Sequence, residues 1–350
     1  MEHVYVVIMA GGKGERFWPL STPEEPKPFI KILGSETLIQ QTVHRILPLV
    51  PTEHILVILG KEHLSLAREQ LPQLPEPNFI TEPMGRDTAP CIGLASLQLE
   101  KRDPESIMIV IPADHYIPDQ DKFLSTLTLA VEVARQGSYL VTLGIKPTRP
   151  ETGYGYILVG NQKITLQGRE VFQVQKFIEK PDFATAAKYL EEGSYYWNSG
   201  IFIWRNRTIQ DLLRRFMPAL WQGLDRIKGS LGSPEEQEVL QREFKQFERI
   251  SIDYGILEKA PEVLMIPADF RWDDVGTWKA LDRVLPLDEN GNIVVGNHRG
   301  VETKDCIIYA KDIFISTFGI SDLIIVSSQG KVLICHKNMA PDLKKLLQQL

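Results

Sequence analysis

Val4-Tyr-Val-Val-Ile-Met-Ala10-Gly-Gly-Lys-Gly-Glu-Arg16-Phe-Trp-Pro-Leu-Ser21 carries the reading on which the fold rests. Residues 4–10 are an unbroken apolar run rich in β-branched side chains, the pattern of a strand covered on both faces in a parallel sheet. Glycines follow at once. They let the backbone approach an anion closely, and their successive N–H groups can converge on it. Lys13 and Arg16 add positive charge beside them. A dinucleotide fingerprint needs a third glycine where Phe17 stands. A Walker loop needs Ser or Thr where Gly14 stands and glycine where Val7 stands. By itself the loop fits a phosphate cradle and a ligand-free glycine turn equally well.

Working outward, similar apolar runs recur at 55–59, 107–111 and 139–144, alternating with helical patterns at 38–47, 90–101 and 122–135. Strand and helix in alternation predict an α/β fold, a Rossmann-like mixed, mostly parallel sheet with right-handed crossovers. Its ligand crevice is expected at the carboxyl ends of the strands, where the Gly11 loop and Pro112-Ala-Asp-His115 both fall. The middle reads as strands at 155–159, 171–179 and 200–204 and helices at 183–191, 208–216 and 234–254, with a loop at 228–234. From residue 291 the texture changes to short apolar runs separated by Gly, Asp, Asn and Lys, as expected for stacked short strands. Residues 1–285 are read as the main α/β domain, and 286–350 as a small all-β, β-helix-like appendage ending in a short helix.

The 350 residues are 43% hydrophobic and 24% charged, ordinary for a globular chain, so disorder is not expected over most of it. A formal net charge of −6 gives no general electrostatic reason to bind nucleic acid. Cys91, Cys306 and Cys335 are far apart and form no CxxC pair, which fits a reducing compartment and neither a disulfide framework nor a zinc ribbon. No leader or membrane-length apolar run is seen, so a cytoplasmic protein without membrane or nucleic-acid partners is expected.

Further motifs follow in order. Pro19, Pro23, Pro26 and Pro28 stiffen a segment that cannot be a continuous helix, and Lys27 lies within it. Thr81-Glu-Pro-Met-Gly85-Arg-Asp-Thr88-Ala-Pro90 offers polar edges at Glu82, Arg86 and Asp87 and a bare backbone at Gly85. The same residues also suit a helix N-cap. Asp114 ends an apolar strand, where a carboxylate can serve a hard cation or simply form a turn. Glu151-Thr-Gly-Tyr-Gly155-Tyr156, Phe177-Ile-Glu179-Lys180-Pro181, Tyr196-Trp-Asn198-Ser-Gly200, Ser251-Ile-Asp253-Tyr-Gly255 and Phe270-Arg-Trp-Asp-Asp274-Val-Gly276-Thr-Trp278 complete the series. Taken singly, each is also a hairpin, a surface ion pair, a turn or an amphipathic helix.

Taken in order, they resemble the sugar-1-phosphate nucleotidylyltransferases, whose glycine loop reads GGxGxR-x-W-P-x-S and is followed by P-K-P. The Trp18-Pro19-Leu20-Ser21 variant is similar to the mannose-1-phosphate guanylyltransferase (GDP-mannose pyrophosphorylase) branch. The resemblance spans about residues 4–280. It implies the nucleotidyltransferase fold and transfer of GMP from GTP to mannose-1-phosphate with release of pyrophosphate. It assigns Arg16, Lys27, Asp114 and Asp274 as catalytic, with Asp114 and Asp274 holding Mg²⁺ and Asp273 in a variable place. Ala10, Gly11, Gly12, Gly14, Arg16, Glu82, Gly85, Asp87 and Thr88 would bind the nucleotide. Gly155, Glu179, Lys180, Asn198 and Asp253 would bind the sugar phosphate. Asp87 stands where the branch usually has Asn, so no side-chain amide is available there. A homodimer is expected. Larger relatives carry a following isomerase domain for which this chain has no room, so phosphomannose isomerase activity is not expected. The alternatives are an enzyme for a glucose- or heptose-type sugar-1-phosphate, or a non-catalytic nucleotide-sugar sensor.

Overall fold

The computed structural model describes residues 1–12 and 14–349. Nine strands form the main sheet: β1 (Val4–Met9), β2 (Ile55–Gly60), β3 (Phe79–Glu82), β4 (Ile107–Pro112), β5 (Leu140–Ile145), β6 (Gly155–Leu166), β7 (Arg169–Glu179), β8 (Tyr195–Arg205) and β9 (Val263–Pro267). Their order is β3-β2-β1-β4-β8-β5-β9-β7-β6. The sheet is mixed. β3, β2, β1 and β4 run parallel, as do β5 and β9. β8 is antiparallel to β4 and β5, and β6 and β7 pair as a hairpin.

The alternation of β1 divides the core. Val4, Val6 and Ile8 face helices α1 (Leu38–Ile46), α2 (Leu64–Gln70) and α4 (Gln120–Arg135), while Tyr5 and Val7 face α3 (Thr88–Arg102). On the α3 side lie α6 (Asn206–Phe216), α7 (Pro218–Ser230) and α8 (Glu236–Gln246); the short α5 (Phe183–Glu192) precedes β8. Local chemistry starts these helices where the chain needs them. Thr37 and Gln40 form a reciprocal capping box on α1, and the Asp182 carboxylate caps α5 through the Thr185 N–H.

After α9 (Leu281–Val284) come β10 (Ile293–Lys304), β11 (Ile307–Ser321), β12 (Leu323–Ser328) and β13 (Lys331–His336), then α10 (Leu343–Leu347). β10, β11 and β12 stack in parallel and in sequence order, so Ile293, Ile307 and Ile324 form one apolar ladder. This is a β-helix-like coil, in which the apolar runs at 307–309 and 313–315 belong to one strand, β11. Its inner face does not close on itself. Ile293, Tyr309, Ile324 and Leu333 share a core with Phe17, Ile30, Ile32 and Trp278. The appendage is thereby packed against the segment that follows the glycine loop.

Three sequence expectations need correction. The helix expected at 234–254 ends at Gln246, and Asp253 sits on a five-residue π turn, Asp253–Leu257, rather than on a regular helix. Between them Ile250 exchanges backbone hydrogen bonds with Arg86 and Ala89, so tertiary pairing overrides local helix propensity. Residues 228–230 belong to the last turn of α7, not to a loop. Helices α2 and α7 and strands β3 and β9 are additional to those read from the sequence.

Candidate active site

The glycine loop leaves the carboxyl end of β1. Ala10 is buried and its N–H still donates to the Ile58 carbonyl, at 2.8 Å, before Gly11 and Gly12 emerge exposed. Gly14 has φ +61°, and a Cβ there would lie 2.4 Å from the Lys27 Cβ and 2.7 Å from its N. Only glycine lets the Pro26-Lys-Pro28 segment lie against the loop. The turn Glu15–Phe17 then points Arg16 to solvent and drives Phe17 into the shared core, 5.2 Å from Trp278. Lys13, expected beside the cradle, lies outside the described residues.

Lys27 is buried and joins the two distant aspartates. Its Nζ is 2.9 Å from Asp114 Oδ2 and donates to the Asp274 carbonyl at 2.6 Å. Burial is the largest influence and would raise the Asp114 carboxyl, but Lys27, His115 and a backbone hydrogen bond together outweigh it and hold the group below the usual carboxylate range. Asp274 Oδ1 accepts from the Tyr154 hydroxyl at 2.7 Å and from the Gly276 N–H at 3.0 Å. Asp273 has a different task. It is buried, takes a two-pronged ion pair from Arg283 at 2.6 and 2.9 Å, accepts from the Val275 N–H and bridges its backbone to Tyr116. His115 accepts from the Trp272 indole N–H at 3.1 Å when its Nδ1 is unprotonated, and burial pushes its pKa down, which agrees with a structural part.

The donor set suits a hard divalent cation. Lys27 holds the Asp114 carboxylate and the Asp274 backbone carbonyl in one place beside the loop, and among the described residues no cluster of three or more His, Cys, Asp or Glu that could hold a metal is found. Phosphate oxygens and water would complete such a coordination shell.

Glu82 ends β3 with its side chain buried, Oε1 lacks a partner among the described residues, and a Cβ on Gly11 would lie 3.8 Å from Oε2. Burial, reinforced by Glu62 and Asp87, pushes its pKa up to about 8. Gly85 is exposed. Asp87 takes φ +69° and caps α3 by accepting from the Thr88 N–H. The Thr88 hydroxyl accepts from the Ile252 N–H at 2.8 Å. Arg86 is not turned toward a ligand; its guanidinium donates to the Phe244 and Lys245 carbonyls and anchors the end of α8.

The expected sugar-phosphate residues do come together. A Cβ on Gly155 would lie 2.6 Å from Glu179 Oε2 and 3.5 Å from the Asn198 Cβ. Glu179 Oε1 pairs with Lys180 Nζ at 2.5 Å, and Asn198 Nδ2 donates to Asp253 Oδ1 at 2.7 Å. Burial and the nearby Glu179 raise Asp253 to about 6. A cavity of about 550 Å³ is lined by Asp87, Thr88, Glu179, Lys180, Asp253 and Tyr254, so the two motif groups share one space. Arg249, which also lines it, reaches to 3.9 Å from Asp87 and was not marked by sequence. Its position two residues before Ser251 was the available clue. Tyr154 links the halves: its carbonyl accepts from the Lys180 N–H and its hydroxyl holds Asp274.

A glycine loop thus ends the parallel strand β1, and Lys27, packed against that loop, contacts both Asp114 and Asp274. The chain belongs to the nucleotidyl transferase family, which matches residues 5–290, and residues 296–350 match a mannose-phosphate isomerase/GMP-like β-helix domain. It is 36% identical to the mannose-1-phosphate guanylyltransferase of Escherichia coli K12 over 99% of this chain and 73% of that one. A crystal structure from Thermus thermophilus, described as a mannose-1-phosphate geranyltransferase, is 36% identical with a TM-score of 0.90 over 99% of both chains. A structure described as mannose-6-phosphate isomerase from Helicobacter pylori is 25% identical with a TM-score of 0.64, covering 77% of this chain and 99% of that one.

Proposed function

We propose that this enzyme transfers GMP from GTP to mannose-1-phosphate, giving GDP-mannose and pyrophosphate. The observation that carries the reading is that Lys27, beside the glycine loop, binds both the Asp114 carboxylate and the Asp274 main-chain carbonyl, in a chain similar over nearly its whole length to mannose-1-phosphate guanylyltransferases. The attacking sugar-phosphate oxygen is already anionic, so no general base is required, and catalysis reduces to positioning and charge neutralisation. Asp114 and Asp274 would hold Mg²⁺, which when bound supplies neutralisation of the crowded phosphate oxygens.

This chain's own residues do the rest. Arg16 and the amides of Gly11, Gly12 and Gly14 stabilise the departing β,γ-phosphates. Lys27 neutralises the α-phosphate, and Lys180 binds the incoming sugar phosphate. Glu82, Gly85, Asp87 and Thr88 border the base; Gly155, Glu179, Asn198 and Asp253 meet sugar hydroxyls. Loss of one charge-stabilising contact costs ~10²–10³-fold in rate.

The domain division at 285/286, a cytoplasmic location and a homodimer belong to the same proposal. No described helix is long and apolar enough to cross a membrane. Exposed Phe314, Phe318 and Ile334 on the appendage support a covered face, testable by sedimentation.

The test is a substrate matrix. Pyrophosphate release is measured for GTP, ATP, UTP and dTTP against mannose-, glucose- and heptose-1-phosphate, with mannose-6-phosphate isomerisation followed separately. GTP with mannose-1-phosphate should dominate. Preference for another pair would replace the substrate assignment, and no release with any pair would favour a sensor.

A further inference from the structure

We propose that Tyr154 is a positioning residue for Asp274: its hydroxyl fixes the carboxylate so that one oxygen is committed to the protein and the other is presented to the metal. This rests on the proposed metal role of Asp274. The carboxylate could otherwise rotate freely about its last bond. Instead Oδ1 receives two donors, Tyr154 Oη at 2.7 Å and the Gly276 N–H at 3.0 Å, and Oδ2 has no hydrogen bond among the described residues.

The tyrosine is itself immobile. It is buried, and its ring packs edge-on against Trp197 and Trp272, each 5.2 Å away between centroids. The Arg149 guanidinium lies 5.8 Å from the ring centroid, and its Nη2 donates to the Tyr154 oxygen at 3.5 Å. The hydroxyl therefore gives its proton to Asp274 and accepts from Arg149. With its one proton committed to Asp274, it has no donor left for a sugar hydroxyl, although it lies in the turn assigned to the sugar. Gly276 guards the same carboxylate from the other side, since a Cβ there would lie 2.8 Å from Oδ2.

Partners that orient metal ligands typically govern metal affinity by 10–100-fold. The experiment compares the full-length wild type with Tyr154→Phe, Gly276→Ala and Asp274→Asn. Mn²⁺ affinity is read from the free-ion spin-resonance signal, alongside the half-activating Mg²⁺ concentration and KM for mannose-1-phosphate. Tyr154→Phe should weaken Mn²⁺ binding and Mg²⁺ activation by ~10-fold with KM for the sugar phosphate nearly unchanged. Wild-type Mn²⁺ affinity with a raised sugar-phosphate KM would overturn the proposal and make Tyr154 a substrate contact. If Tyr154→Phe does not fold, Gly276→Ala decides: weakened Mn²⁺ binding supports the oriented carboxylate, and wild-type binding refutes it. Wild-type Mn²⁺ binding by Asp274→Asn would instead remove the metal role on which the inference stands.

Discussion

Replacing Glu82 with Gln should stabilise the protein increasingly as pH rises. Glu82 is 4% exposed, Oε1 lacks a partner among the described residues, and the pKa stands at about 8 against an ordinary 4.5. The native state therefore keeps a proton that the unfolded chain releases above about pH 4.5. Where the folded state binds more protons, stability falls with rising pH. The contribution is fully present below pH 4.5 and is lost as pH climbs through about 8. Three and a half units correspond to about 5 kcal/mol in the alkaline limit; between about pH 5.5 and 8.5 the change is about 3 kcal/mol. Glutamine imitates the neutral acid and has no such dependence. Urea unfolding of wild type and Glu82→Gln at those two pH values should show the variant's relative stability growing by about 3 kcal/mol. An equal difference at both pH values would refute burial as the cause. It would mean that Glu82 ionises normally, with water or another group reaching it.

Asp114→Asn should lower turnover by ~10²–10³-fold while leaving the thermal melt cooperative; pyrophosphate release at wild-type rates would end the metal role. Lys180→Ala removes a charge-assisted contact, so KM for mannose-1-phosphate should rise by ~10-fold or more with KM for GTP nearly unchanged. If nucleotide affinity alone changed, Lys180 would belong to the other substrate. Gly14→Ala sets a methyl 2.4 Å from the Lys27 Cβ at a φ of +61°. It should cost ~1–2 kcal/mol in backbone strain, by denaturant titration, and ~10²-fold in turnover as Lys27 is displaced; near-normal turnover would show that Lys27 is not held by this contact.

The sequence by itself determined the first strand and its glycine loop, the alternation that builds the parallel half of the sheet, and the order of the motifs. These follow from local causes: an apolar run buried on both faces, glycine where the chain must come close, caps such as Thr37 and Asp182. It also picked Gly155, Glu179, Lys180, Asn198 and Asp253, which do gather, although only the likeness to a family joined them. What it could not supply is contact between residues far apart in the chain. The run 247–252 was expected to continue a helix, but Ile250 instead pairs its backbone with Arg86 and Ala89. Arg86 looked available until it was anchored to α8, and only the resemblance told Asp273 from Asp274 until Arg283 claimed one and Tyr154 the other. Lys27 meets both aspartates only because the sheet order brings the ends of β1 and β4 side by side and the shared core with the appendage folds Trp278 against Phe17. Periodicity and propensity act over a few residues, whereas a catalytic site depends on distances that packing alone sets.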